Sequence, residues 1–377
     1  MCVDAVLKRF NCQCGNPVFF RNSTCLACAT PLGYDSALGL LIPLTAGSLP
    51  GQWLQYGATQ LVPDAAAMLP AVYRRCANLQ TPAACNWLMD AALPAANIFC
   101  LACSLNRTIP DLTDPAHPEN GVYWGRVELA KRRMLAGLLG LGLPILSKYE
   151  DAANGLAFDL VNNQVGAKAV VTGHDSGLIT LNLQEADDSI RESIRSAMRE
   201  PYRTLLGHFR HETGHYFWDR LVKTSTWLDA FRRLFGDESQ NYAASLQNNY
   251  TAGPPKDWWL HYVSSYAASH PWEDWAETWA HYLHMCDTLD TAASFGLTVN
   301  AQLLEFTPFA ADALYSSQDN TAAEFLTFLN EWTGLTVLLN EMSRSMGQAD
   351  FYPFVLPNPV VAKLHFVHLV IKSASRS

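Results

Sequence analysis

Long apolar runs are scarce in this chain of 377 residues. The longest, Met134 to Leu146, is broken by Gly137, Gly140, Gly142 and Pro144. A membrane-crossing helix needs about 20 consecutive apolar residues, so no membrane segment is expected. The opening MCVDAVLKR has no apolar core of the kind a secretory signal carries, and a cytoplasmic setting with reduced thiols is therefore expected. Positive charge is also in short supply: 26 Lys and Arg stand against 35 Asp and Glu, a formal net charge of -9. A polyanion has no broad electrostatic reason to bind such a chain. The basic residues near the cysteines, Lys8, Arg9, Arg21, Arg74 and Arg75, are few, and nucleic acid is not expected as a partner. A glycine-rich phosphate loop, an internal repeat and a coiled-coil heptad are all missing, which argues against P-loop nucleotide binding, solenoids and coiled coils.

What is present is metal-binding chemistry. His211-Glu212-Thr213-Gly214-His215 lies within the apolar run Tyr202 to Val222. Leu205, Leu206, Phe209, Phe217 and Leu221 recur near helical spacing, with Pro201 just ahead as a start signal. On a helix, positions i and i+4 share a face, so His211 and His215 can converge on one zinc while Glu212 lies beside its open position. Zinc makes a nucleophile of its water, and the adjacent carboxylate can take the proton. The plainer alternative is two surface histidines on an amphipathic helix. His208, one turn earlier, reads as a neighbour of the site or as core. Gly214 costs about 1 kcal/mol against Ala inside a helix, which points to a substrate or a neighbouring backbone passing close by.

A catalytic zinc usually has three protein ligands. Glu273 and Glu277 stand one helical turn apart in Pro271-Trp272-Glu273-Asp274-Trp275-Ala276-Glu277. Glu273 is assigned as the third ligand and Glu277 as the carboxylate that orients a ligand histidine through its other ring nitrogen. Acids gathered after a helix-starting proline are the alternative reading, and His281 and His284 are rival ligands. Acyl transfer also needs a donor to the developing oxyanion. Tyr266, seven residues before Glu273, is assigned that role, with Tyr242, Tyr250, Tyr262 and His261 as alternatives.

Eight of the 10 cysteines fall in two groups: Cys12, Cys14, Cys25 and Cys28, then Cys76, Cys85, Cys100 and Cys103. Closely spaced pairs of thiolates are the pattern of a structural zinc knuckle. Phe10, Val18, Phe19 and Phe20 are the few apolar side chains of the first module, so metal must stand in for the core it lacks. In the second group only Cys100 and Cys103 have knuckle spacing. Disulfides or a redox pair are the alternatives; Cys2 is expected at an exposed terminus and Cys286 as a small buried apolar group.

Residues 1–35 are expected to form a zinc ribbon, 36–115 a second cysteine module, 116–295 a catalytic domain, and 296–377 a mainly helical extension. Trp124 to Leu141 reads as helix; Leu156–Val161, Ala169–Thr172 and Gly177–Leu183 read as strands. Leu303 to Gly347 reads as broken helix with Phe325, Leu326, Phe328, Leu329 and Trp332 as its core face. The run Val360 to Ile371 is apolar enough to dock on the body.

The strings LLGHFRHETGHYFWDRL, HPWEDWAETWAHYLH and LNRTIPDL resemble a bacterial family of zinc-binding metallopeptidases with an N-terminal zinc ribbon, over nearly the whole chain. The C-x-C pair at Cys12 and Cys14 matches that family's variable knuckle. More broadly, the two histidines with a glutamate on a later helix resemble the gluzincin peptidases, whose lethal-factor-like members have a catalytic Tyr where Tyr266 stands. The resemblance implies an α+β, zincin-like catalytic domain with a small antiparallel or mixed sheet and active-site helices. It implies, too, a cleft strand that pairs with extended substrate by edge addition, for which Leu178–Leu183 is the candidate.

The expected function is a zinc peptidase acting on a protein or peptide, with one catalytic and two structural zincs. The alternative is a scaffold whose ribbons bind a protein partner and whose histidine site is structural or inactive. An amidase acting on a non-peptide amide would use the same chemistry.

Overall fold

The computed structural model describes residues 8–57, 71–162, 170, 172–198, 200–297 and 307–375. Cys2, half of the strand expected at 169–172 and the start of the helix expected from Leu303 lie outside them. The chain divides into two compact units: one runs to Gly140 and takes Ile145–Arg191, the other takes Leu141–Pro144 and Glu192 onward.

In the first unit, β1 (Phe10–Asn11) and β2 (Pro17–Val18) form an antiparallel pair joined by a tight turn. Gly15 sits in that turn at φ +83°, where a side chain would be strained. β3 (Leu32–Asp35), β4 (Leu40–Ala46), β5 (Gln52–Gln55), β6 (Val72–Arg75) and β7 (Leu88–Asp90) make an antiparallel sheet in chain order. Its core gathers Ile42, Leu44, Tyr73 and Leu88, with Trp53 packed against them. Gly33 on β3 leaves room for Leu88: an added Cβ would come to 2.4 Å from Leu88 Cδ2, and that side chain would have to move. The sheet starts at Leu32, so the expected division at residue 35 falls on its first strand.

α1 (Leu101–Ser104) and α2 (Asn120–Gly140) follow. A four-stranded mixed sheet holds β8 (Asn106–Thr108), β9 (Ala157–Val161), β10 (Gly173–Asp175) and β11 (Leu178–Asn182) in the order β10-β11-β9-β8. This corrects the edge-strand expectation. Leu178–Asn182 pairs parallel with β9 along its whole length, and its Leu178–Thr180 part pairs antiparallel with β10 on the other side. A strand in the middle of a sheet has no edge to offer a peptide.

α3 (Asp188–Ala197) crosses from one unit to the other. The second unit is helical: α4 (Leu205–Leu221), α5 (Leu228–Phe235), α6 (Tyr242–Ala252), α7 (Pro271–Ser294), α8 (Ala322–Ser345) and α9 (Asn358–Ala374). Thr204, rather than Pro201, starts α4, its side chain accepting from Gly207 N at 3.0 Å. Pro271 is at the first position of α7, and His270 caps that helix by accepting from Trp272 N at 3.1 Å.

Helices α4 and α7 meet at Gly214. A Cβ there would lie 2.9 Å from the Ala276 Cα, so the glycine makes room for the neighbouring backbone. Trp275 Nε1 donates to the Gly214 carbonyl at 2.8 Å, and the Phe217 and Trp279 rings stack with centroids 5.0 Å apart. α9 buries Val360, Val361, Leu364, Phe366, Val367, Val370 and Ile371. Its buried Lys363 reaches Asp274 on α7 at 2.6 Å. Cys286, on α7, is buried, as expected. Among the described residues no helix is long and apolar enough to cross a membrane.

Candidate metal centres

Helix α4 presents His211 and His215 one turn apart, and α7 brings Glu273 against them. The Nε2 atoms of His211 and His215 are 3.2 Å from each other. Glu273 Oε2 is 3.0 Å from His211 Nε2, and Oε1 is 3.6 Å from His215 Nε2. One ligand atom from each of these residues lies within 4.8 Å of the others. Two imidazole lone pairs and a carboxylate aimed at one spot repel one another unless a cation sits among them, and two nitrogens with one oxygen suit zinc.

These groups also balance one another's charge. Burial would push His211 down, yet Glu273 and Glu277 hold it well above the usual histidine range. Burial would push Glu273 up, yet His215 and His211 hold it well below the usual carboxylate range.

Around these donors is a shell of oriented partners. Glu277 Oε1 is 2.7 Å from His211 Nδ1, which turns the Nε2 of that ring toward His215 and Glu273. Ser264 donates to Glu277 Oε2 at 2.7 Å and accepts from Ala267 N at 3.0 Å. Burial opposes ionisation of Glu277, but His211 keeps it below the ordinary glutamate value. Ser264 was not singled out in the sequence; only its place two residues before Tyr266 could have drawn notice. The Trp272 ring packs 4.0 Å from that of His215.

Glu212 is buried, and its Oε2 has no hydrogen-bond partner among the described residues. Burial raises its pKa above the ordinary glutamate value, with His211 and His215 opposing. Tyr266 is half-buried, its ring 5.9 Å from that of His211. It is Tyr242 that touches the set, donating to Glu273 Oε1 at 2.5 Å. Tyr250 is 60% exposed on α6, Tyr262 lies under Lys363, and His261 is exposed. The rival histidines are engaged elsewhere: His281 Nδ1 with Tyr352 OH at 2.7 Å and His284 Nδ1 with Arg210 at 2.5 Å. His208 is half-buried and outside the converging set.

The eight cysteines form two further clusters, each with four sulfurs within 4.8 Å of one another, and all eight thiols are free. In the first, Cys12 and Cys28 are 3.6 Å apart and Cys14 and Cys25 3.8 Å. The knuckle turn is closed by Gly15 N donating to the Cys12 carbonyl at 2.9 Å. Thr30 holds Cys28 down to about 6, whereas burial pushes Cys12 up to about 11. In the second, Cys85 and Cys100 are 3.5 Å apart, and Cys100 N donates to Cys76 Sγ at 3.5 Å. Cys76 leaves β6, Cys85 precedes β7, and Cys100 and Cys103 flank the first turn of α1, so the fold supplies the proximity that the wide spacing hid. The separated thiols of each cluster fit the tetrahedral demand of structural zinc.

Comparison with known proteins agrees with this division of labour. Residues 120–370 match the family model described as "Putative zinc-binding metallo-peptidase". Residues 9–114, which include both cysteine clusters, match a zinc-ribbon domain. Uncharacterized proteins of Mycobacterium bovis and Mycobacterium tuberculosis are each 40% identical over 367 residues, covering 97% of this chain and 95% of theirs. No solved structure matches the chain.

Proposed function

The chain belongs to this zinc-binding metallopeptidase family, and from that premise we propose that it is a zinc-dependent peptidase hydrolysing peptide bonds of a protein or peptide. The observation that carries the reading is the convergence of His211, His215 and Glu273 beside a buried carboxylate, Glu212, whose Oε2 has no hydrogen-bond partner among the described residues. A purely structural site has no use for an acid in that place.

His211, His215 and Glu273 would hold the catalytic zinc, the gluzincin arrangement. Zinc so held would supply a Lewis acid, lowering the pKa of a bound water from about 15.7 to roughly 7 and polarising the scissile carbonyl. Glu212 accepts the proton of the attacking water at Oε2 and passes it to the leaving amine. Glu277, fixed by Ser264, keeps the His211 ring in register. Tyr266 is the proposed donor to the oxyanion. The two cysteine clusters would each hold one structural zinc, making the small module of β1 and β2 stable without a sizeable core.

Zinc content per chain tests the assignment. The wild type should hold about three zincs and a His211→Ala/His215→Ala variant about two, as the liganding rules require. Glu212→Gln then separates peptidase from scaffold. Zinc retained with cleavage of a peptide library abolished supports the peptidase; unchanged behaviour of wild type and variant supports a scaffold whose ribbons bind a protein partner.

A further inference from the structure

Tyr242 touches the histidine site without a role in the peptidase chemistry. It begins α6, a helix with no buried residue, 31 positions before Glu273. Its hydroxyl nevertheless donates to Glu273 Oε1 at 2.5 Å, while the other oxygen of that carboxylate is turned to His211 Nε2 at 3.0 Å.

The placement is built, not incidental. The Tyr242 ring is gripped edge-on by His270, with centroids 5.2 Å apart, and by Trp272, at 5.8 Å. His270 caps α7 by accepting from Trp272 N through Nδ1. That bond leaves its Nε2–H to meet the Gln240 carbonyl at 3.3 Å, two residues before Tyr242. Asn241 caps α6, accepting from Ala244 N at 3.0 Å. Residues 270, 272 and 273 in the first turn of α7 therefore all engage the entry to α6, and the phenol is fixed on the carboxylate from three directions.

We propose that Tyr242 is the positioning residue of the third zinc ligand: it holds Oε1 of Glu273 and so fixes the carboxylate with Oε2 turned to His211. The inference rests on the zinc reading of the histidine site. A phenol O–H donated to a carboxylate is a charge-assisted hydrogen bond, among the stronger kinds, and partners of this sort typically carry 10- to 100-fold in metal affinity. Tyr242 touches the ligand and not the reacting atoms, so its effect is on holding metal.

Tyr242→Phe in the full chain removes the hydroxyl and keeps the ring between His270 and Trp272. Zinc competition with a chelator of known affinity should show the histidine site weakened by about 10- to 100-fold. The zinc held by cysteines and the unfolding midpoint of the metal-free protein should not move. Tyr266→Phe, measured alongside, should leave zinc affinity at wild-type strength. An unchanged affinity in Tyr242→Phe overturns the proposal, as does a loss of affinity that comes with a lower metal-free midpoint, since that is the mark of packing alone. A wild type holding only cysteine-bound zinc overturns the zinc reading of the histidine site and this inference with it, and is told apart by the starting stoichiometry.

Discussion

Gly214 shows how a single residue couples the site to the core. Replacing it with Ala should help α4 by about 1 kcal/mol on intrinsic propensity. The new methyl would meet Ala276 at 2.9 Å on its Cα and 3.3 Å on its carbonyl oxygen, atoms that cannot rotate away. Overpacking of a close contact typically costs 1–3 kcal/mol, so we expect Gly214→Ala to be destabilising on balance, read as a lower urea midpoint. That something passes close to Gly214 was legible in the sequence; that it is the backbone of α7 was not, because the partner lies 62 positions away, from 214 to 276. The tyrosines teach the same lesson. Tyr266 stands out by its short interval to Glu273, yet the hydroxyl on that carboxylate comes from Tyr242, and no local spacing could tell which of 14 tyrosines the intervening chain would deliver.

The helices were easier to read than the sheets. The i, i+4 geometry of His211 with His215, and of Glu273 with Glu277, belongs to a single helix in each case and needs no tertiary knowledge. Strand order is non-local: the alternation of Leu178–Asn182 is the same at an edge as in the middle, and the flanks held by β9 and β10 follow from topology. Only the short strands β3 to β7, three or four residues each apart from β4, left the second cysteine module looking irregular. At this scale the Lys363–Asp274 pair deserves a test, because it fastens α9 to α7. Both groups are buried, and Lys363 also donates to the His261 carbonyl at 2.8 Å. Lys363→Met should cost about 3–5 kcal/mol by stranding Asp274, whereas Lys363→Met with Asp274→Leu should cost less than the sum of the two single changes. Chemical unfolding of the four proteins gives the coupling energy, and an additive result would mean the pair does not hold the helices together.

For the whole molecule, acid is the informative perturbant. Burial holds His281 down to about 4, with Glu277 opposing, His365 down to about 4, with Asp319 opposing, and His368 down to about 3. Unfolded histidine titrates near 6.5, so between there and the folded values the unfolded chain binds more protons. The stability these groups leave intact above about pH 6.5 is thus lost as pH falls toward 4, at about 1.4 kcal/mol per pH unit for each fully buried ring. Thermal midpoints taken from pH 7.5 to 5 should decline more steeply in the wild type than in a His368→Leu variant, and equal slopes would show that ring to be solvated.

The two cysteine clusters differ in one plain respect: Cys14 and Cys28 are exposed, whereas Cys76, Cys85, Cys100 and Cys103 are all buried. Thiolate chemistry requires access as well as charge. In a His211→Ala/His215→Ala background, where only cysteine-bound zinc remains, about one zinc per chain should trade with an isotopic label in solution on the timescale of ligand exchange, and the second only as fast as the fold opens. One ion would then register the zinc supply around the protein from moment to moment, while the other keeps the imprint of the conditions under which the chain folded.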